Sequence, residues 1–221
     1  MINSQKNIIN FPRFIYFAGV DGTGKSTFVD MLIRDLDKKG VKGKRVWLRF
    51  NYFFTRFILL YCRLTGLTRR VDQGEKVISV HDFHKSKRIA KAVQYMHFID
   101  TCIMYFIKVY IPLKFSKTVI LCDRFVYDIL ADFMLESKDM ELLDSGIARM
   151  FLKLIPRQAI IIFITLDKET ILKRKPEVLI DDEDFDLKYD IFKYIESKFN
   201  FNIIFNDTDV ELVYLNIKEL I

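Results

Sequence analysis

A three-layer α/β fold, with a five-stranded parallel sheet covered by helices on both faces, is what this sequence predicts, and three observations predict it. Short β-rich apolar runs alternate with segments of helical spacing along the chain, a pattern that calls for a parallel sheet wrapped by helices. One run, "AIIIFITL" at 159–166, is nearly continuous in β-branched and aromatic residues, as befits a strand covered on both faces. Between the first run and the first helix lies "GVDGTGKS", Gly19 to Ser26, which matches G-x-x-x-x-G-K-[ST] without a mismatch. That motif, between a strand and a helix, makes the expected fold a P-loop NTPase.

The first strand is expected over Arg13–Ala18. In "STFVDMLIRDLDKKG" after it, Phe28, Met31, Leu32 and Leu36 share one helical face and Gly40 ends the helix. "RVWLRF" reads as the second strand, followed by a helix over Phe53–Leu64, a polar stretch from Thr65 to Gly74, and a long helix from about Asp82 to Ile111. "KTVILCDRF" holds the third strand, which ends in Asp123. Helices follow at Tyr127–Glu136 and Met140–Leu154, then the strand in "AIIIFITL" and a helix at Lys168–Lys173. After a polar stretch come a helix over Phe185–Phe199, a fifth strand in "FNIIFN", and a last helix capped by Thr208 or Asp209. The chain shows no internal repeat and no Pro/Gly/Ser-rich linker, so one domain spanning 1–221 is expected.

Composition narrows the class. Of 221 residues, 51% are hydrophobic and 29% charged, enough for a sizeable core. The longest apolar stretch, Phe98–Leu113, carries Asp100 and Lys108 and meets Pro112, so it reads as a buried helix rather than a membrane span. The N-terminus lacks a basic region followed by an apolar core, and no signal peptide is expected. Three scattered cysteines, Cys62, Cys102 and Cys122, fit a reducing compartment. The expectation is a soluble cytoplasmic protein. A net charge of +6 suits a phosphate-bearing partner. The basic run "KKGVKGKR" has no interleaved aromatics to stack on bases, so no nucleic-acid partner is expected.

The glycine motif carries the chemistry. Backbone N–H groups of the loop line a concavity at a helix N-terminus, where unpaired donors and the helix dipole favour an anion. Lys25 adds a mobile positive charge for the β- and γ-phosphates, and the Ser26 hydroxyl can ligate Mg²⁺. Asp123 ends an apolar strand, where ligands of parallel sheets bind, and can hold magnesium's water shell or accept a proton. Arg124 beside it can pair with a phosphate. No [NT]KxD-type signature of guanine binding follows any strand.

These residues resemble the thymidylate kinase family of P-loop nucleoside monophosphate kinases. "FAGVDGTGKST" is similar to that family's F-x-G-x-D-G-x-G-K-[ST]-T loop, "CDRF" to its Asp-Arg-Tyr motif, and "ITLDKETILKRKPE" to the strand and helix that lead to an arginine-bearing lid, here about 174–185. The resemblance implies ATP and Mg²⁺ as cofactors. Gly19, Asp21, Gly22, Thr23, Gly24, Lys25, Ser26 and Thr27 would bind the cofactor, with Ser26 and Asp123 at the metal. Asp21 would contact the acceptor sugar and Arg49 its phosphate, joined at the acceptor by Asp100 and Arg124. Gly22 stands where some members carry a catalytic arginine, so the missing charge would come from the lid, from Arg174 or Lys175. The catalytic set implied is Lys25, Asp123, Arg124 and Arg174.

The departures cluster at the acceptor. Phe50 and Asn51 replace Glu-Pro after the arginine, Thr101 replaces the arginine after Asp100, and Asp132 and Phe133 stand for Tyr and Gln. The expected activity is phosphorylation of dTMP by ATP. The alternatives are a P-loop kinase-like enzyme acting on another small molecule, and an ATP-binding protein without kinase activity. Asp128 and Asp132, one turn apart, are acceptor contacts or plain ion-pair residues. The stripe Phe53, Phe57, Leu60, Leu64 is core, or a contact in a homodimer. His81 and His84 lack a third ligand and read as a surface pair, and "DDEDFD" (Asp181 to Asp186) reads as a lid edge and helix start.

Overall fold

The computed structural model describes residues 11–50, 52–72, 77–174 and 184–221. Five strands, β1 (Phe14–Ala18), β2 (Gly43–Val46), β5 (Val119–Asp123), β6 (Ile160–Thr165) and β7 (Asn202–Phe205), form one parallel sheet in the order β2-β5-β1-β6-β7. The sheet places Phe17 beside Asp123 and Ala18 beside Phe163. The glycine loop therefore leaves the sheet at its centre, next to the end of β5.

Alternation along β1 divides the core. Ile15 and Phe17 join Leu121, Ile162 and Ile164 on one face, under α1 (Lys25–Lys38) and α9 (Val210–Glu219), which contribute Phe28, Leu32, Val213 and Ile217. Phe14 and Tyr16 join Ile120, Cys122 and Phe163 on the other. That face is covered by α3 (Lys87–Tyr105), α5 (Val126–Ser137), α6 (Gly146–Leu152) and α8 (Phe185–Lys198). Every residue of β1 and β5 is buried, which is why these strands read as unbroken apolar runs. Asp209 caps α9, its carboxylate accepting from the Glu211 N–H at 2.8 Å.

Several boundaries differ from expectation. The second strand stops at Val46, although Leu48 N–H still donates to the Arg124 carbonyl, in register with the β5 ladder, at 3.2 Å. The polar stretch after α2 (Thr55–Leu64) contains β3 (Thr68–Asp72), which pairs antiparallel with β4 (Val77–His81). The long helix begins only at Lys87. It reaches Tyr105, passes through a π-helical turn over Phe106–Tyr110, and ends as α4 (Ile111–Phe115). The helix expected over Met140–Leu154 is a 3₁₀ turn (Met140–Asp144) followed by α6. The two are separated at Ser145, whose hydroxyl accepts from Ala148 N–H.

The stripe on α2 is not core. Phe57 and Leu60 are largely exposed and line a cavity, and Leu64 is 80% exposed. The lid expected at 174–185 lies, apart from its two ends, outside the described residues, as do Lys175 and Asp181 to Glu183 of the acidic run. Asp186 pairs with Lys168 at 2.6 Å in the first turn of α8. Among the described residues no helix is long and apolar enough to cross a membrane.

Candidate active site

The loop after β1 is built by contacts that its glycines permit. Gly19 has φ +134°, and a Cβ there would lie 2.1 Å from the Ile164 carbonyl oxygen. At Gly24, with φ +91°, a Cβ would strike Asn206 Nδ2 at 2.7 Å. Both conformations are ones that side-chain-bearing residues rarely adopt. Asn206, just beyond β7, is buried and donates from Nδ2 to the Thr23 carbonyl at 2.9 Å. The Thr23 hydroxyl closes the turn onto the Val20 carbonyl at 2.9 Å. The loop thus hands the chain to α1 with the first turn's amides, which have no partner within the helix, directed at the site.

Lys25 is buried, and its ammonium donates to the Gly19 and Val20 carbonyls, each at 2.6 Å. Burial, with help from Arg124, pulls its pKa down from 10.5 to about 8. Ser26 Oγ donates to Asp123 Oδ2 at 2.8 Å. Asp123 is almost fully buried, and its Oδ1 has no hydrogen-bond partner among the described residues. A hydroxyl beside a buried carboxylate with one oxygen unused is a donor set that fits a hard cation such as Mg²⁺. Arg45 of β2, itself a cation and no ligand for a metal, pairs with the same Asp123 oxygen and with Asp30 of α1 at 3.0 Å.

Asp21 is the hub of the other half. Its carboxylate meets Arg124 in a close ion pair, Arg49 and Lys188 at 3.4 Å each, and Lys25 at 4.0 Å. Burial raises the Asp21 pKa, but Lys188, Lys25, Arg124 and Arg49 outweigh it and hold the carboxyl well below the usual range. Arg124 is aimed there by a left-handed backbone, φ +72°, a conformation that costs a non-glycine residue about 1 kcal/mol. Arg49 is buried and bound at two points by Asp132, Nε to Oδ2 at 2.7 Å and Nη2 to Oδ1 at 2.5 Å, while its guanidinium lies over the Phe50 ring. One turn on, burial and then the nearby Asp132 push the Glu136 carboxyl well above its ordinary pKa.

Arg49, Asp132, Glu136 and Lys188 form one wall of a cavity of about 800 Å³, and Phe57 and Leu60 of α2 form another. The cavity, a concave, partly apolar space with a few convergent polar groups, is tied to the glycine loop by Arg49 and Lys188, which line it and contact Asp21.

The sequence-derived residues separate on inspection. Gly19 to Ser26, Asp123, Arg124 and Arg49 converge on one end of the sheet. Thr27 follows in the first turn of α1. Two acids expected at the acceptor do other work. Asp100 is fully buried, and its carboxylate accepts from the N–H groups of Phe53, Phe54 and Thr55, each at 2.9 Å. It caps α2 from a distance. Asp128 is buried beneath the site, accepting from the Tyr16 hydroxyl at 2.9 Å and from Phe125 N–H at 3.1 Å. It thereby fixes the turn that carries Arg124. Arg174 ends α7 (Lys168–Arg174) with its side chain exposed.

Arg45, Lys188, Glu136 and Asn206 were not singled out in the sequence. A signal existed for two of them. Lys188 falls on the buried stripe of α8, with Phe185, Ile191, Phe192 and Ile195. Glu136 continues the i, i+4 series of Asp128 and Asp132 on α5. His81 stacks on Phe83 and meets the Thr68 hydroxyl through Nδ1 at 2.9 Å. Among the described residues no three potential ligands cluster as a metal site made of His, Cys, Asp and Glu alone.

No family model matches the sequence, and neither does any curated protein. Solved structures do match. Thymidylate kinase from Candida albicans aligns with 94% of this chain and 90% of its own, at 16% identity and a TM-score of 0.59. Thymidylate kinase from Ehrlichia chaffeensis aligns with 95% of this chain and 97% of its own, at 18% identity and a TM-score of 0.53. Over nearly its whole length, the chain carries the fold of the thymidylate kinases.

Proposed function

We propose that this protein is an ATP- and Mg²⁺-dependent kinase that phosphorylates a nucleoside monophosphate, with dTMP as the first acceptor to test. One observation carries the reading. The glycine loop, with Lys25 and the Ser26–Asp123 pair, adjoins a ligand-sized cavity, and Arg49 and Lys188 both line that cavity and contact Asp21 of the loop.

The residues divide the work accordingly. Loop amides and Lys25 bind the polyphosphate, while Ser26 and Asp123 hold the metal. A magnesium ion held there would supply positive charge to offset the negative charge that develops on the phosphate oxygens. Arg124 and Arg49 orient the acceptor phosphate against Asp21. Such transfer relies on positioning and electrostatics more than on proton chemistry. Coupled ADP-release measurements with ATP, Mg²⁺ and a panel of monophosphates test it. Turnover that depends on one of them is expected, and no turnover with dTMP, dUMP or any other monophosphate contradicts it.

Asp132 favours a second reading. It already holds, by two hydrogen bonds, the arginine that an acceptor phosphate would need. An acceptor that presents a hydroxyl and no phosphate would leave that pair intact. Turnover with thymidine or another nucleoside, and none with its monophosphate, selects this reading.

Lys25 gives the reading a pH signature. Its pKa is pulled down to about 8, so the free protein loses this cation as pH rises through 8. Affinity for Mg·ADP should fall by up to about tenfold per pH unit above that point, and binding near pH 8 should take up a proton. Calorimetry at pH 7 and pH 9, in buffers of different ionisation enthalpy, checks both.

A further inference from the structure

Acids are missing from two stretches of this chain. The residues from Trp47 to Leu67 include none, and those from Phe83 to Leu121 include one, Asp100, against ten lysines and arginines in the two together. The whole chain has 35 basic and 29 acidic residues, so everything outside these stretches is net acidic. Asp100 is buried and engaged by backbone amides of α2. The surface of both stretches therefore carries positive charge alone.

That surface is also apolar. Phe106 and Ile107, in the π-helical turn, are each 52% exposed, and Phe115, at the end of α4, is 73% exposed. Tyr95 and Ile99 of α3 are exposed on the approach to them. The Asp100 carboxylate holds the start of α2 against α3, and the Lys108 ammonium donates to the Trp47 carbonyl at 3.4 Å. Through these ties Trp47, Phe54 and Tyr61, all exposed, extend the same face. The cations lie among the rings. Lys114 Nζ is 5.6 Å from the centre of the Tyr110 ring and 5.5 Å from that of Phe115, and the Arg56 guanidinium is 5.2 Å from that of Phe57.

So much contiguous apolar surface marks an interaction site, and its charge selects the occupant. A second copy packed symmetrically on this face would set cations against cations with no acid to pair them. A layer of anionic headgroups is the complement. Rings and aliphatic side chains enter the boundary between headgroups and acyl chains, while the lysine and arginine ends stay with the lipid phosphates. Among the described residues no helix could cross the bilayer, so this face would lie on a membrane without spanning it. We propose that the face formed by Trp47, α2 and the stretch from Tyr95 to Phe115 docks the protein onto the surface of a bilayer that carries anionic lipid. Docking of this kind is independent of the kinase reading.

Trp47 is the one tryptophan of the chain and serves as the probe. Vesicles of phosphatidylcholine alone are compared with vesicles containing about 30% phosphatidylserine, by flotation and by Trp47 emission, without nucleotide. The protein should float with the anionic vesicles, come off as salt rises, and shift its emission to shorter wavelength when bound. Lys114→Gln with Lys117→Gln should weaken partition by about tenfold or more, and so should Phe106→Ser with Phe115→Ser, about tenfold or more. No flotation with anionic vesicles, equal partition onto phosphatidylcholine alone, or unchanged partition in either double variant overturns the proposal. A dimer in sedimentation equilibrium that the serine pair dissociates also overturns it, and assigns the face to a second copy. Should the serine pair not fold, the glutamine pair is judged alone. Each of these failures leaves the kinase reading standing, and an absence of turnover overturns that reading alone.

Discussion

Lys25→Met should lower turnover by about 10³-fold, and Mg·ATP affinity with it, while leaving the free protein as stable as before or more so. The two halves of this expectation have one cause. Lys25 is a buried ammonium held by the Gly19 and Val20 carbonyls at 2.6 Å. A drop from 10.5 to about 8 corresponds to a penalty of about 3 kcal/mol for keeping the group charged in the free fold. The sign follows from proton binding. Between pH 8 and 10.5 the unfolded chain holds the proton that the folded chain has lost, so this group's contribution to stability rises with pH across that window. Below pH 8 the penalty is fully present, and methionine, of similar length, removes it. Urea unfolding of both proteins at pH 7, alongside turnover, checks the pair of outcomes. A variant that is less stable and still active contradicts the assignment.

Asp100→Ala should destabilise the fold by about 3 to 5 kcal/mol, among the larger effects of any single substitution here. The carboxylate takes three backbone N–H groups, from Phe53, Phe54 and Thr55, and alanine leaves all three without their acceptor in a buried place. Asp100→Asn keeps one acceptor oxygen and should cost roughly half as much. The segment held in this way begins a few residues after Arg49, so acceptor KM should also rise, as a consequence of the lost anchor. Urea unfolding measures the first effect. A stability change under about 1 kcal/mol with a raised KM would instead make Asp100 a direct acceptor contact.

Legibility followed the range of the interactions. The central strands β1, β5 and β6 could be read because burial on both faces leaves an apolar run, and the glycine loop because one short segment holds all of its donors. The hairpin of β3 and β4 could not. "TRRVD" stands apart from the sheet, so burial imposes no apolar run on it. The α2 stripe was apolar as a core face is, yet it borders a cavity, and periodicity cannot distinguish the two. The site residues that escaped notice are those that topology delivers from afar. Asn206 reaches Thr23 across 183 positions and Arg45 reaches Asp123 across 78. Asp100 and Asp128 read from the sequence as acceptor contacts, and their bonds to backbone amides show only in three dimensions.

The central claim is that the amides of Gly22 to Thr27 and the ammonium of Lys25 hold a nucleotide's polyphosphate. Calorimetric titration of the unmodified protein with ATP in the presence of Mg²⁺ tests it most directly, with Lys25→Met as the control. Saturable one-to-one binding that the substitution abolishes is the predicted result. No heat of binding from any adenine nucleotide, or equal affinity in the two proteins, would contradict it.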